Sequence, residues 1–171
     1  MRDGFVKVAA GTPRIRVADC DFNAGQIISL MKEAAAQGVK VLALPELCVT
    51  GYTCGDLFLQ PTLLDGAERA LAAILDETRK LDLLTALGLP VRCENKLYNC
   101  AAVIQKGFIL GLVPKANIPN YGEFYEARWF SPASALSASD VYPSAGPVFP
   151  FAGQDAVELS GGKLFRCRSM P

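Results

Sequence analysis

Val39-Lys40-Val41-Leu42-Ala43-Leu44-Pro45-Glu46-Leu47-Cys48-Val49-Thr50-Gly51-Tyr52 decides how this chain folds. From Val39 to Leu44 it is apolar except for Lys40. A short apolar run without alternation fits a strand buried on both faces, as in a parallel or mixed α/β sheet. Pro45 has no N–H to give to a ladder, so the strand is expected to end there. Glu46 then emerges at the C-terminal end of the strand, where open α/β sheets carry their chemistry.

The flanking segments extend this pattern. Upstream, Phe5 to Ala10 reads as a first buried strand, broken by Gly11 and Pro13. Asp19, Asp21 or Asn23 caps a helix from about Phe22 to Gln37, with Ile27, Leu30, Met31, Ala34 and Ala35 at helical spacing and Gly38 as its stop. Downstream, Gly51 to Gln60 is a loop with a short helical turn. Pro61 to Leu81 is a helix whose apolar face is Leu63, Leu64, Ala67, Leu71, Ile74 and Leu75. Leu83 to Leu89 is a further buried strand, with Pro90 expected to end it. Leu97 to Ile104 and Phe108 to Val113 form a hairpin around Gln105-Lys106-Gly107. Ser131 to Pro150 is rich in Ser, Ala, Pro and Gly and reads as loop. Ala156 to Leu159 and Lys163 to Arg168 read as a last hairpin around Gly161-Gly162.

Strands alternating with helices imply an α/β fold, a mixed sheet of six or seven strands with helices on one face. Two good helices cannot cover both faces of such a sheet. That leaves apolar surface for a partner or for a missing part of the domain.

The bulk numbers narrow the function. The chain has 171 residues, 51% of them hydrophobic, enough for one domain with a core. Seventeen basic residues balance seventeen acidic ones, so nothing suggests a nucleic-acid surface. No apolar run is long enough to span a bilayer and the N-terminus lacks a signal-peptide core, which points to the cytoplasm and no membrane partner. The six cysteines form no CxxC pair and read as reduced thiols, mostly small core residues. The chain has no histidine. Ser-His-Asp and Cys-His chemistry are thereby excluded within it, as are histidine-based zinc sites.

A second stretch completes the chemistry. Lys115 follows an apolar strand directly, in Pro114-Lys115-Ala116-Asn117-Ile118-Pro119-Asn120-Tyr121-Gly122-Glu123-Phe124-Tyr125-Glu126-Ala127-Arg128-Trp129-Phe130. Glu46 and Lys115 at the ends of buried strands make an acid/base and oxyanion pair that requires a nucleophile. Taken singly, Glu46 also reads as a structural acid paired with a lysine, and Lys115 as a solvated strand end. Trp129 and Phe130 read as core aromatics.

Together these motifs resemble the nitrilase, or carbon–nitrogen hydrolase, superfamily. The shared parts are the strand ending in Pro45-Glu46, then Gly51-Tyr52, and the strand leading to Lys115. Leu97-Tyr98-Asn99-Cys100-Ala101 and the segment from Asn120 to Phe130 narrow the resemblance to the N-terminal glutaminase domains of glutamine-dependent NAD synthetases. That resemblance covers nearly the whole chain, but about the first half of such a domain. It implies an α-β-β-α sandwich and a Glu-Lys-Cys catalytic set.

By motif position, Glu46 would be the general base and Lys115 the electrostatic partner of the oxyanion. Tyr121 would bind glutamine, Phe124 would line the pocket, and Glu126 would be a second buried glutamate that orients the lysine. No cofactor is implied in this domain. ATP and Mg are expected only in a C-terminal synthetase domain, which would use the released ammonia to amidate deamido-NAD and which residues 1–171 do not include. Members of the family also form homo-oligomers through this domain.

In the family the nucleophilic cysteine follows a stretch like Gly161 to Met170, in a Cys-Glu-Asp context. Cys167 lies between Arg166 and Arg168, which would lower a thiol pKa, but lacks the acidic residues after it. The expectation is a half-domain without its nucleophile, inactive alone. The alternatives are a stand-alone amidase of the same superfamily and a non-catalytic α/β assembly module.

Overall fold

A computed structural model describes residues 4–93, 95–136, 141–143 and 156–159. Strand β1 (Val8–Ala10) leads to helix α1 (Cys20–Ala36), strand β2 (Val41–Ala43) and helix α2 (Pro61–Thr78). Strands β3 (Leu84–Cys93), β4 (Lys96–Gln105) and β5 (Phe108–Pro114) follow, then two short strands, β6 (Val141–Pro143) and β7 (Ala156–Glu158). The main sheet has five strands in the order β1-β2-β3-β4-β5, and β6 pairs with β7 in a separate ladder. β1, β2 and β3 run parallel, whereas β3, β4 and β5 are antiparallel. This is the mixed α/β sheet expected from the sequence, with five strands in the main sheet and two in the second ladder among the described residues.

The helix boundaries follow local chemistry. The Asp19 carboxylate accepts from the Phe22 N–H at 3.1 Å, so of the three cap choices Asp19 starts α1, and the helix begins at Cys20. Its last turn gives way to Gly38 at φ +78°. α2 opens on Pro61, whose missing N–H costs nothing at a first helical position. It ends at Thr78 rather than Leu81, and the Leu81 N–H turns back to the Thr78 carbonyl at 2.9 Å.

Both helices pack on one face of the sheet. Ile27 and Met31 of α1 and Leu71 and Ile74 of α2 are fully buried, as are Leu42, Leu87, Ile104 and Leu112 of the strands. The other face carries small side chains where the site lies. Ala43 is exposed, Ala86 and Ala101 are half-buried, and Gly88 has no side chain.

Two sequence expectations are corrected. Pro90 does not end β3, which continues to Cys93. Pro90 pairs with Asn99, whose carbonyl accepts instead from the Lys115 N–H on the β5 side at 2.8 Å. The pair is therefore a non-hydrogen-bonded one, and β2 ends before reaching Pro90 on the other side, so the ladder does not need the missing donor. Second, Ser131 to Pro150 is not all loop: it holds a 3-10 turn at Ala133–Ala135 and strand β6. The partner of Ala156–Glu158 among the described residues is β6, and Leu159 bridges in parallel to Leu112 of β5. Residues 163–168, expected as that partner, lie outside the described residues.

The β4–β5 hairpin turns on two residues, Lys106-Gly107, at φ +51° and +81°. Two positive φ values give the turn the hand that matches strand twist, and glycine supplies the second at no steric cost.

Truncating Ile74, fully buried between α2 and the sheet, leaves a cavity. Ile74→Ala is expected to destabilise the fold by about 3 kcal/mol in chemical denaturation.

Candidate active site

The site is built where β2, β4 and β5 end on the open face of the sheet. The Leu44 N–H donates to the Ala86 carbonyl at 2.9 Å, and Pro45 then stops the ladder. The chain turns sharply next. Leu47 sits at φ +50° and is fully buried, and its carbonyl accepts from the N–H groups of Thr50 and Gly51 at 3.1 and 2.7 Å. This elbow lies directly on β3. A Cβ on Gly88 would fall 2.3 Å from the Leu47 nitrogen and 2.7 Å from the Pro45 carbonyl oxygen, so only glycine lets the two backbones approach this closely.

Asn23 of α1 fixes the elbow from the other side. Fully buried, it accepts from the Arg16 N–H at 2.8 Å and donates to the carbonyls of Arg16 at 2.8 Å and Val49 at 3.0 Å. It therefore joins helix α1, the loop before it and the turn that aims Glu46.

The elbow presents Glu46 to Lys115, which follows β5. Lys115 Nζ donates to Glu46 Oε1 at 2.6 Å and to both Glu126 oxygens at 3.1 and 3.0 Å. The same Glu46 oxygen accepts from Asn99 Nδ2. Glu126 is buried, and the Tyr52 hydroxyl donates to its Oε1 at 2.6 Å. The fixed groups are thus two carboxylates around one ammonium, tied by a phenol and a carboxamide.

Burial alone would lower the Lys115 pKa, but its hydrogen bonds to Glu46 and Glu126 and their charges outweigh burial and hold it above the ordinary lysine range. The Tyr52 phenol is pushed up by desolvation and by donating to Glu126, so it stays a donor. A cleft of about 370 Å³ opens beside the pair, lined by Pro45, Glu46, Ala86, Gly88, Asn99, Ala101 and Lys115 among others. An ammonium fixed beside a carboxylate in such a cleft can stabilise an oxyanion while the carboxylate moves a proton.

The structure brings together three of the sequence-derived site residues, Glu46, Lys115 and Glu126. Tyr121 and Phe124 pack edge-on against each other at 5.8 Å, with Tyr121 72% exposed, and neither lines this cleft. Sequence reasoning assigned no role to Tyr52 or Asn99. Both lie in motifs it quoted, and Asn99 has a readable signal: strand alternation and the β4–β5 register place it on the same face as Lys115 and directly across from it.

The five described cysteines, Cys20, Cys48, Cys54, Cys93 and Cys100, carry free thiols and are buried. Burial pushes Cys20 and Cys48 up to about 11 and raises Cys54 and Cys100 as well. Buried thiols with raised pKa values are inert.

A family model described as carbon-nitrogen hydrolase matches residues 7–165. The chain belongs to the carbon-nitrogen hydrolase family. It is 34% identical over 160 residues to the glutamine-dependent NAD(+) synthetase of Mycobacterium leprae, a match covering 91% of this chain and 24% of that protein. It is 40% identical over 114 residues to the enzyme of the same name from Aquifex aeolicus, covering 67% and 20%. The chain therefore spans about a fifth to a quarter of the length of these relatives. Among solved structures, the glutamine-dependent NAD(+) synthetase of Cytophaga hutchinsonii superposes with a TM-score of 0.71 at 30% identity, over 81% of this chain and 23% of that one. An amidase from Nesterenkonia superposes at 0.62 and 23% identity, over 77% and 49%, which shows the shared fold.

The loop carrying Tyr52 is held to the segment carrying Glu126 by Asp56. It accepts from Arg128 Nε and Nη2 at 2.6 and 2.9 Å and from Trp129 Nε1 at 2.9 Å.

Two predictions follow from these contacts. Gly88→Ala is expected to displace the elbow, shifting the Glu46 and Leu47 amide resonances and destabilising the fold by about 1–3 kcal/mol. The hydrogen bonds from Arg128 and Trp129 lower the Asp56 pKa from 3.8 to about 2. A folded-state value below the unfolded one means its stabilisation is fully present above about pH 4 and is lost as pH falls through about 2. The fluorescence of Trp129, the single tryptophan of the chain, is expected to change across that window, and Asp56→Asn is expected to flatten the step.

Proposed function

We propose that this chain carries the glutaminase machinery of a glutamine-dependent NAD synthetase. The observation that supports it most is the Glu46–Lys115–Glu126 cluster at the strand ends, in a chain of the carbon-nitrogen hydrolase family whose relatives bear that name. In this reading Glu46 takes the proton of a cysteine thiol as sulfur attacks the glutamine side-chain amide. Lys115 faces the oxyanion of the tetrahedral intermediate. As that intermediate collapses the C–N bond breaks and Glu46 returns its proton to the leaving nitrogen, so that ammonia departs; Glu46, a carboxylate again, then takes a proton from the water that hydrolyses the thioester to glutamate and frees the thiol.

Tyr121 and Phe124 would then contact glutamine at the rim of the site. A C-terminal synthetase domain, with its own ATP and Mg, would consume the ammonia to convert deamido-NAD to NAD. Homo-oligomerisation and a cytoplasmic setting belong to the same reading. Among the described residues every cysteine is buried. The sixth, Cys167, lies outside them, so the thiol is either Cys167 or one supplied beyond residue 171.

The test is ammonia release from glutamine, by this chain and by a version lengthened past Pro171. Release by the lengthened version, abolished by Glu46→Gln and by Lys115→Ala with folding intact, is the expected result. A loss of at least about a hundredfold is expected for Lys115→Ala. Release by the 171-residue chain itself would assign the nucleophile to Cys167. No release from either version would sink the glutaminase reading and favour an assembly module.

A further inference from the structure

We propose that Asn99 is a positioning residue that selects which oxygen of Glu46 acts as the base. The inference rests on the glutaminase reading of this site. Asn99 lies in β4, between β3 and β5, and is 4% exposed. Its main-chain carbonyl accepts from the Lys115 N–H at 2.8 Å, and its side-chain Nδ2 donates to Glu46 Oε1. One strand residue therefore registers both reacting partners, each through a separate group.

The choice of oxygen follows from counting donors. Oε1 accepts from Asn99 Nδ2 and from Lys115 Nζ, while neither reaches Oε2. Two donors, one of them charged, engage the lone pairs of Oε1 and make it the poorer proton acceptor. Oε2 is left to receive the proton. Lys115 alone could not impose this choice, because its Nζ also serves both Glu126 oxygens and a single flexible ammonium tolerates rotation of the Glu46 carboxylate about its terminal bond. A carboxamide on a central strand does not move with the carboxylate. A second donor from a rigid direction makes one orientation of the plane preferred.

A buried asparagine that merely satisfied its own polar atoms would leave Glu46 indifferent to its loss. The experiment compares wild type with Asn99→Ala and with Asn99→Asp, which keeps the size of the side chain but replaces the donor with an acceptor. The order of the Glu46 side chain is measured by NMR relaxation, with backbone spectra as the control for folding. Both variants are expected to lose Glu46 side-chain order. In the glutamine assay of the lengthened chain, both are expected to lower kcat by about a hundredfold, the cost of a small misplacement, with KM changed less than about twofold.

A Glu46 side chain as ordered in both variants as in wild type overturns the proposal, and so does an unchanged kcat where Glu46→Gln abolishes turnover. If Asn99→Ala does not fold, Asn99→Asp decides alone. Absence of ammonia release in the wild type counts against the glutaminase reading instead, while the side-chain order of Glu46 still decides the role of Asn99.

Discussion

One ammonium between two carboxylates ties together three parts of the chain that are far apart in sequence. Glu46 follows β2, Lys115 follows β5, and Glu126 begins a 3-10 turn after a loop. Lys115 Nζ lies 2.6 Å from the first carboxylate and 3.0 Å from the second. Removing the lysine would leave two carboxylates facing each other, one of them buried. Such a cluster is poor evidence for stability, because desolvation offsets much of the attraction. Its worth is geometric, and the surrounding structure is arranged to hold it. Gly88 lets the Glu46 elbow touch β3, Asn23 ties that elbow to α1, and Asp56 fixes the Tyr52 loop to Arg128 and Trp129 beside Glu126.

The packing explains why this precision is available at the sheet ends. The helices cover one face, and the buried side chains there are large and apolar. On the other face, small residues at Ala86, Gly88 and Ala101 leave room for polar groups to converge above the sheet. Rigid strands then fix the starting points of the functional side chains. Asn99 and Lys115 stand across from each other on β4 and the end of β5, and their separation is set by the ladder rather than by a loop. The aromatic residues of the 129–130 segment complete the support. Phe130 is buried, and the Phe58 ring meets Phe130 edge-on at 4.9 Å and Trp129 at 5.8 Å.

The elements that sequence reading located best are those with one strong periodic signal. The α2 stripe of Leu63, Leu64, Ala67, Leu71, Ile74 and Leu75 is entirely buried, and the apolar run before Pro45 is a strand. Pro90 misled because the cost of a proline depends on whether its ladder side is occupied, and that is a property of the neighbouring strand. Strand β6 was hidden because its three residues are too few to show a period and it pairs, among the described residues, with a segment from 156 onwards. Of the site, Glu46, Lys115 and Glu126 were legible from motif position. The part of Tyr52 was not, since a hydrogen bond across 74 residues leaves no local mark in either segment, and that of Asn99 was readable only through strand alternation combined with the β4–β5 register.

The charge of the site also constrains how a thiol could work there. On the glutaminase reading, two carboxylates and one ammonium leave a net negative charge around the attacking thiol. A thiolate would meet that charge as well as the lysine, so the site does not favour a preformed thiolate in the way a cysteine–histidine pair does. Residues 1–171 hold no histidine, so none of them offers an imidazolium to stabilise one. A thiol is therefore expected to arrive protonated and to lose its proton only as the carbon–sulfur bond forms. On that reading negative charge then passes from sulfur to the developing oxyanion, which the Lys115 ammonium would meet. The raised pKa of Lys115 keeps its charge in place throughout this transfer. On the same reading Glu126, with the Tyr52 phenol donating to it, would hold the ammonium in place while Glu46 takes the thiol proton.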